Sequence, residues 1–231
     1  MPRAAFALLL LPALALAAPV PKPPAKKIED VFGTPTEGIG VTLEMTRRDE
    51  LRATVGKEAA TAVNAQTKAR PLATKTVEGD FELTVRICHA PPADKELAAT
   101  GPGVPTLSAG IALFSRDNPK CSLTLFHKHT QTGGWKSQMS MSSQHERGGS
   151  GTGRQAQKLE DQPLYLRLTR KGDTFTSQTS ADGKTWQGFG THKVQGFGPV
   201  VVGPAAVHNT TAAYEVTFDE YVIKSLTEEG K

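Results

Sequence analysis

Cysteine, aromatic residues and net charge are all scarce in this chain of 231 residues. Two cysteines cannot supply the disulfide framework that stabilises many small secreted scaffolds. The 27 Lys and Arg residues exceed the 23 Asp and Glu residues by only four, which argues against a nucleic-acid partner held by many phosphate contacts. Glycine and proline are plentiful, with 22 and 16 residues, and they favour a soluble protein built from short segments joined by turns.

The first 17 residues have the pattern of a secretory signal peptide. Arg3 precedes an apolar stretch over residues 4–16, which is too short to cross a bilayer and is followed by small residues. The alanines at positions 15 and 17 predict cleavage after Ala17, and residues 18–30, rich in Pro and Lys, are expected to form a stiff linker. The sequence therefore predicts a protein without a membrane span that is secreted or exported to the periplasm or cell envelope.

Strand periodicity dominates the rest of the chain. Apolar and polar side chains alternate along residues 81–87, 122–125, 164–169 and 214–218, which is typical of strands with one buried and one solvent-facing side. Gly172 and Gly183 lie in turn signals that predict hairpins, whereas residues 90–105 and 146–161 are expected to be long loops. The pattern predicts an all-β, antiparallel two-sheet sandwich of about twelve strands over residues 31–226, followed by a tail at residues 227–231.

Several segments resemble the concanavalin A-like lectin and glucanase superfamily. They are residues 77–86 (VEGDFELTVR), 108–113 (SAGIAL), 164–175 (LYLRLTRKGDTF), 180–186 (SADGKTW) and 216–221 (VTFDEY). Within the superfamily, the chain is most similar to exported bacterial domains labelled regulation-of-enolase-like. The resemblance implies a jelly-roll β-sandwich, in a superfamily that includes sugar binders, glycosidases and scaffolds.

This resemblance leaves three functions open. We favour an exported, non-catalytic module that binds a carbohydrate or another cell-envelope component and needs no cofactor. A glycan-cleaving hydrolase is the first alternative. The second alternative is a structural domain that binds another protein through the long loops.

The hydrolase alternative depends on Glu78, Asp80 and Glu82. Glucanases of the superfamily use a Glu-x-Asp-x-Glu strand, and strand alternation would place the three carboxylates on one face. Glu78 would then be the nucleophile, Glu82 the acid/base and Asp80 their electrostatic partner. However, Gly79 followed by Asp80 is typical of a turn at the start of a strand, so we prefer the interpretation without catalysis.

The solvent-facing sides of the strands predict a binding surface. Aromatic rings stack on sugars, and planar polar groups form hydrogen bonds with sugar hydroxyls. Strand alternation places two aromatic and three polar side chains on outward positions. We therefore predict that a carbohydrate groove is lined by Arg86, Phe126, Gln138, Tyr165 and Arg167.

The histidines and cysteines predict neither a metal site nor a disulfide. His127 and His129 share one face of a strand, but a meander of the strands that begin near residues 81, 111 and 122 would put His89 roughly 10 Å away, too far for a shared metal ion. The same meander places Cys88 and Cys121 at opposite strand ends, so both are expected to be unpaired.

The segment from Ser180 to Trp186 resembles the Asp-box of sialidases with one residue missing. A structural role is expected for it. Asp182 and Gly183 would form the turn, and Trp186 would pack back onto the sheet.

Overall fold

The computed structural model describes residues 26–36, 40–47, 49–58, 70–91, 97–100, 103–118, 120–145, 148–155 and 163–226. The predicted signal peptide, most of the predicted linker and the predicted tail lie outside these ranges. The last residues of the predicted linker include the start of a short helix, α1 (Ile28–Val31), and Ile28 packs against the core. No helix within these ranges is long and apolar enough to cross a membrane.

The described strands form two antiparallel sheets of seven strands each. The first sheet contains β1 (Thr34–Pro35), β4 (Ala73–Val77), β6 (Thr106–Ser115), β7 (Ser122–Gln131), β8 (Trp135–His145), β9 (Gly148–Gln155) and β13 (Val200–His208). The second sheet contains β2 (Val41–Arg47), β3 (Glu50–Val55), β5 (Phe81–Cys88), β10 (Leu164–Lys171), β11 (Thr174–Ser180), β12 (Gln187–Lys193) and β14 (Tyr214–Ser225). The predicted antiparallel sandwich is confirmed, with fourteen strands in the described ranges rather than twelve.

Strand order brings distant parts of the chain together. The order is β1-β4-β13-β6-β7-β8-β9 in the first sheet and β12-β11-β10-β5-β14-β3-β2 in the second. In the second sheet, β5 lies at the centre between β10 and β14, so the side chains of these three strands share one outer face.

Residue alternation builds the core between the two sheets. Along β5 and β10 every second residue is buried, as the sequence predicts. Phe81, Phe175 and Phe218 are among the largest fully buried side chains. Burial of such a side chain stabilises the fold by about 1.5–3 kcal/mol. The other side chains of β5 and β10 are left on the outer face of the second sheet.

The central strands of the first sheet, β6 and β13, are buried on both faces. A Cβ atom at Gly203 would lie 1.7 Å from the carbonyl oxygen of Ala73, so only glycine allows this close backbone approach. On the outer side, Phe126 packs against Ala112 and Ala205 in a small second apolar cluster. The outer face of the first sheet is therefore partly covered.

Two expectations about the chain path are wrong. The meander does not exist, because β5 belongs to the second sheet whereas β6 and β7 belong to the first. The glycine-rich part of the predicted loop at residues 146–161 contains β9, which pairs with β8 from Gly148 to Gln155. Glycines have no side chain to alternate, so backbone pairing leaves no periodic signal in the sequence.

Cys88 and Cys121 are free cysteines. Cys88 is the last residue of β5 in the second sheet, and Cys121 immediately precedes β7 in the first sheet. The expectation of two unpaired thiols is confirmed, although the predicted meander is wrong.

Candidate functional site

The structure divides the predicted carbohydrate-binding residues between two surfaces. Arg86 on β5 and the β10 residues Tyr165 and Arg167 lie together on the outer face of the second sheet, with Arg86 and Tyr165 directly opposite each other. Phe126 and Gln138 lie on β7 and β8 of the first sheet. The five side chains therefore do not line a single groove.

Phe126 also differs from expectation in its exposure. It points outward from the first sheet as the alternation predicts, but it is only 5% exposed because it packs against Ala112 and Ala205. Its ring therefore cannot serve as an open platform for a sugar.

On the outer face of the second sheet, Arg86 is held by carboxylates from β14. Its Nε donates to Asp219 Oδ1 at 2.6 Å, a second guanidinium nitrogen donates to the other carboxylate oxygen, and Glu220 Oε1 lies 3.6 Å from Nε. The hydrogen bonds to Asp219 raise the pKa of Arg86 above its usual range. Arg86 also lies over the ring of Tyr165, with Cζ 5.9 Å from the ring centre.

Tyr165 and Glu220 complete this group. The Tyr165 hydroxyl donates to Glu220 Oε1 at 2.9 Å, and partial burial together with this bond raises the pKa of Tyr165. Glu220 adopts a φ of 48°, an uncommon conformation for a residue with a side chain, where the register between β14 and β5 shifts. The bulge aims Glu220 at Tyr165, and such strained positions often cluster at functional sites.

A second aromatic side chain lies beside this group. The guanidinium of Arg167 stacks on Trp186, with Cζ 3.7 Å from the ring centre, and Trp186 meets Tyr165 edge to face at 6.5 Å. Arg167 Nε is 3.6 Å from Glu82 Oε1, and this buried nitrogen makes no hydrogen bond to any described residue. The stack therefore lies beside a carboxylate of β5.

The turn before Trp186 has the predicted structural role. Asp182 Oδ1 accepts hydrogen bonds from the backbone N–H groups of Lys184 and Thr185 at 2.8 and 2.7 Å, and these bonds hold the pKa of Asp182 below its usual range. Gly183 has a φ of 70° and lies so close to Tyr165 that a Cβ atom would be 3.0 Å from the ring. The turn therefore positions both aromatic side chains.

A depression of about 750 Å³ lies over β10, β11 and β12. Seven of its ten lining residues carry a hydroxyl, amide or ammonium group; the lining comprises Thr169, Lys171, Thr174, Thr176, Ser177, Gln178, Gly188, Phe189, Gly190 and Thr191. Gln178 is the direct cross-strand neighbour of Arg167, so the depression borders the stack of Arg167 on Trp186. Gly188 and Gly190 leave room above the sheet.

The three carboxylates of the hydrolase alternative occupy different surroundings. Glu78 lies in the turn between β4 and β5 and pairs with Arg116 at 3.7 Å, and Asp80 accepts the backbone N–H of Gly172 at 2.7 Å. Glu82, on β5, is paired with Arg167. Because Gly79 has a φ of 69°, strand alternation does not extend back to Glu78.

A histidine cluster, comprising His89, His127 and His129, lies inside the sandwich. His89 Nε2 is 2.8 Å from His127 Nδ1, and one ring nitrogen from each histidine lies within 4.8 Å of the others. The expected separation of roughly 10 Å is wrong, because β5 and β7 face each other across the core instead of lying two strands apart in one sheet.

Burial controls the charge of these histidines. Loss of hydration lowers the pKa of His127 to about 3 and holds the pKa of His89 well below its usual range. Both rings are therefore neutral at physiological pH, when a ring nitrogen can offer its lone pair. The Tyr214 hydroxyl is hydrogen-bonded to His89 Nδ1, and Ser137 Oγ is 3.1 Å from His129 Nδ1.

Sequence reasoning missed these convergences to different degrees. Every second residue is buried along residues 81–87 and 123–125, and the same alternation continues to His89, His127 and His129. This pattern could have predicted that all three histidines lie in the core. No comparable signal in the sequence gives the contact of Arg167 with Trp186, or the turning of Glu220 toward Tyr165.

Comparison with known proteins finds similarity in structure alone. No family model matches the chain, and no curated protein matches it. A functionally unknown protein from Saccharomyces cerevisiae has a TM-score of 0.61 at 15% identity, with 82% of this chain and 93% of that chain covered. A GH43 protein from Bacillus licheniformis has a TM-score of 0.55 at 14% identity, with coverage of 82% and 37%. Xylan beta-1,4-xylosidase from Bacillus halodurans has a TM-score of 0.50 at 16% identity, with coverage of 93% and 41%.

These similarities support the two-sheet β-sandwich as the fold of the chain. The chain spans about two fifths of each of the two bacterial proteins. At such low identity, the similarities show the fold but no activity. They also do not test the resemblance to the regulation-of-enolase-like domains.

Proposed function

We propose that this chain is a non-catalytic carbohydrate-binding module whose binding surface is the outer face of the second sheet. The observation that carries the proposal is the stack of Arg167 on Trp186 beside the polar depression over β10, β11 and β12. Its placement within the regulation-of-enolase-like branch and its export through residues 1–17 are parts of the same proposal.

The chemistry of this surface suits a sugar. A pyranose ring offers C–H groups that stack on an aromatic ring and hydroxyls that both donate and accept hydrogen bonds. Trp186 and Tyr165 supply the rings, and the guanidinium of Arg167 supplies planar N–H groups beside them. The threonines and Gln178 that line the depression can both donate and accept.

The charges favour a neutral glycan. Arg86 is paired with Asp219 in a two-pronged contact, and Arg167 is paired with Glu82. Because each guanidinium already has a carboxylate beside it, neither arginine presents an uncompensated positive charge that would select an acidic sugar.

The carboxylate geometry supports binding rather than cleavage. A retaining glycosidase needs two carboxyl groups about 5–5.5 Å apart that face the same bond. Glu78 is turned toward Arg116, and Glu82 is paired with Arg167. A chain that binds and does not cut its glycan accords with this arrangement.

A glycan array probed with the full chain, followed by calorimetric titration of the strongest ligand, tests the proposal. We expect binding to be lost in the double variant Tyr165→Ala/Arg167→Ala and retained in Gln138→Ala, the matched control on the first sheet. Binding that survives the double variant, or that depends on Gln138, would move the site off this surface. Release of reducing ends from the bound glycan would instead favour the hydrolase.

A further inference from the structure

We propose that the histidine cluster, His89, His127 and His129, is a binding site for a divalent transition-metal ion, with Zn²⁺ as the best fit. Each histidine contributes one ring nitrogen, and these nitrogens lie within 4.8 Å of one another inside the sandwich. The site is separate from the outer face of the second sheet and does not depend on the carbohydrate proposal.

The spacing fits tetrahedral coordination after small ring movements. Zinc binds imidazole nitrogen at about 2.0–2.1 Å, so two ligand nitrogens of a tetrahedral site lie roughly 3.4 Å apart. The nitrogens of His89 and His127 are 2.8 Å apart, slightly closer than this, and the widest spacing in the cluster is 4.8 Å. Both spacings therefore lie within about 1.5 Å of the tetrahedral value.

Position on facing strands provides rigidity. His127 and His129 lie on β7, two residues apart and therefore on the same face, and His89 directly follows β5 of the opposite sheet. All three are at most 8% exposed. A bound ion would thus cross-link the two sheets at one end of the core.

The polar partners around the cluster match those of metal-bound histidines, which usually hydrogen-bond through the ring nitrogen that does not bind metal. Tyr214 is bonded to His89 Nδ1, and Ser137 Oγ is 3.1 Å from His129 Nδ1. A hydroxyl can accept as well as donate, so each of these hydroxyls can orient its histidine ring by bonding to Nδ1. His127 Nε2 is buried and has no hydrogen-bond partner among the described residues.

The donor set selects the class of ion. The group consists of three imidazoles and contains no carboxylate or thiolate. Imidazole suits zinc, copper and nickel, whereas calcium and magnesium require oxygen ligands. Three protein ligands leave the fourth tetrahedral position for water.

The test is a titration of the full chain, made without an affinity tag, after chelator treatment and dialysis. We expect calorimetry with ZnCl₂ to show one saturable equivalent, the unfolding temperature to rise with zinc, and CaCl₂ to have neither effect. Absence of saturable one-to-one zinc binding in the wild-type chain would overturn the proposal, and this result does not depend on any variant folding.

Three variants locate the ion. His127→Gln and His129→Gln should each abolish the zinc equivalent and the rise in unfolding temperature. His192→Gln is the matched control, because His192 is also a buried histidine but lies on β12 with Ser143 as its partner. Tyr214→Phe should weaken zinc binding by about 10–100-fold without changing the stoichiometry. Zinc binding that persists in both cluster variants, or that is lost with His192→Gln, would contradict the assignment.

Discussion

The guanidinium of Arg167 lies flat against the indole ring of Trp186, with 3.7 Å between Cζ and the ring centre. The two residues are brought together by the hairpin of β10 and β11 and by the turn that follows β11. This contact fixes the orientation of the indole on the outer face of the second sheet. It also joins the aromatic part of the proposed carbohydrate site to the polar depression beside it.

Replacement of Arg167 by Lys should therefore weaken carbohydrate binding although it preserves the charge. An ammonium cannot stack as a plane or donate from a rigid fork, and loss of a contact of about 1 kcal/mol corresponds to roughly fivefold in the dissociation constant. Calorimetric titration with the best glycan from the array measures this change. Arg52→Lys, at an exposed arginine of the same sheet that pairs with Glu44, is the control and should bind as the wild type does. Equal affinity of all three proteins would contradict a role for the stack.

Gly183 and Gly172 provide a matched pair of turn positions. Both have positive φ, 70° and 57°, but only at Gly183 would a Cβ atom press against the ring of Tyr165. We expect Gly172→Ala to lower the free energy of unfolding by about 1 kcal/mol, the cost of a side chain in this conformation. Gly183→Ala should cost about 2 kcal/mol and should also weaken glycan binding, because Tyr165 must move.

Urea denaturation of the two variants, with the glycan titration alongside, checks this prediction. A Gly183→Ala protein as stable as Gly172→Ala, with unchanged glycan affinity, would show that the contact between the turn and Tyr165 is unimportant.

His208 should make stability depend on pH. Burial lowers its pKa below the unfolded value, while its Nε2 donates to the carbonyl oxygen of Gly56 at 3.2 Å and its Nδ1 accepts from Thr210. Since the folded state disfavours the protonated ring, this contribution to stability is complete above about pH 6.5 and is lost as the pH falls below it. The loss from one histidine can reach about 1.4 kcal/mol for each pH unit.

Urea denaturation at pH 7.5, 6 and 5 measures the effect. His208→Gln, which keeps a donor and an acceptor but does not titrate, should reduce the acid destabilisation relative to wild type. Identical pH dependence in the two proteins would rule out His208 as a contributor.

Period-two patterns predicted the strands and their faces because side-chain alternation is a local property. The interior of β5 and the outward positions of Arg86, Tyr165 and Arg167 follow directly from it. The turn at Asp182 and Gly183 could also be predicted from the sequence. The side chain that accepts its hydrogen bonds, Asp182, and the residue that adopts a positive φ, Gly183, are neighbours in the chain.

Sheet membership could not be read in the same way. The strands β5 and β7 alternate alike whether they pair side by side or face each other across the core. Alternation alone therefore does not distinguish a meander, with His89 far from His127, from the observed arrangement. For the same reason, the predicted carbohydrate groove combines Phe126 and Gln138 with residues of the opposite sheet. The bulge at Glu220 could not be predicted from the sequence either, because it depends on the register of β14 against β5.

The most direct test of carbohydrate binding uses the two tryptophans of the chain, Trp135 and Trp186, as internal reporters. Trp186 lies in the proposed site, whereas Trp135 begins β8 in the first sheet with a buried Nε1. In a ¹⁵N-labelled sample titrated with the best glycan from the array, the indole N–H signal of Trp186 should shift progressively to saturation while that of Trp135 stays in place. A shift of Trp135 alone, or no shift of either signal at saturating glycan, would contradict the proposed site.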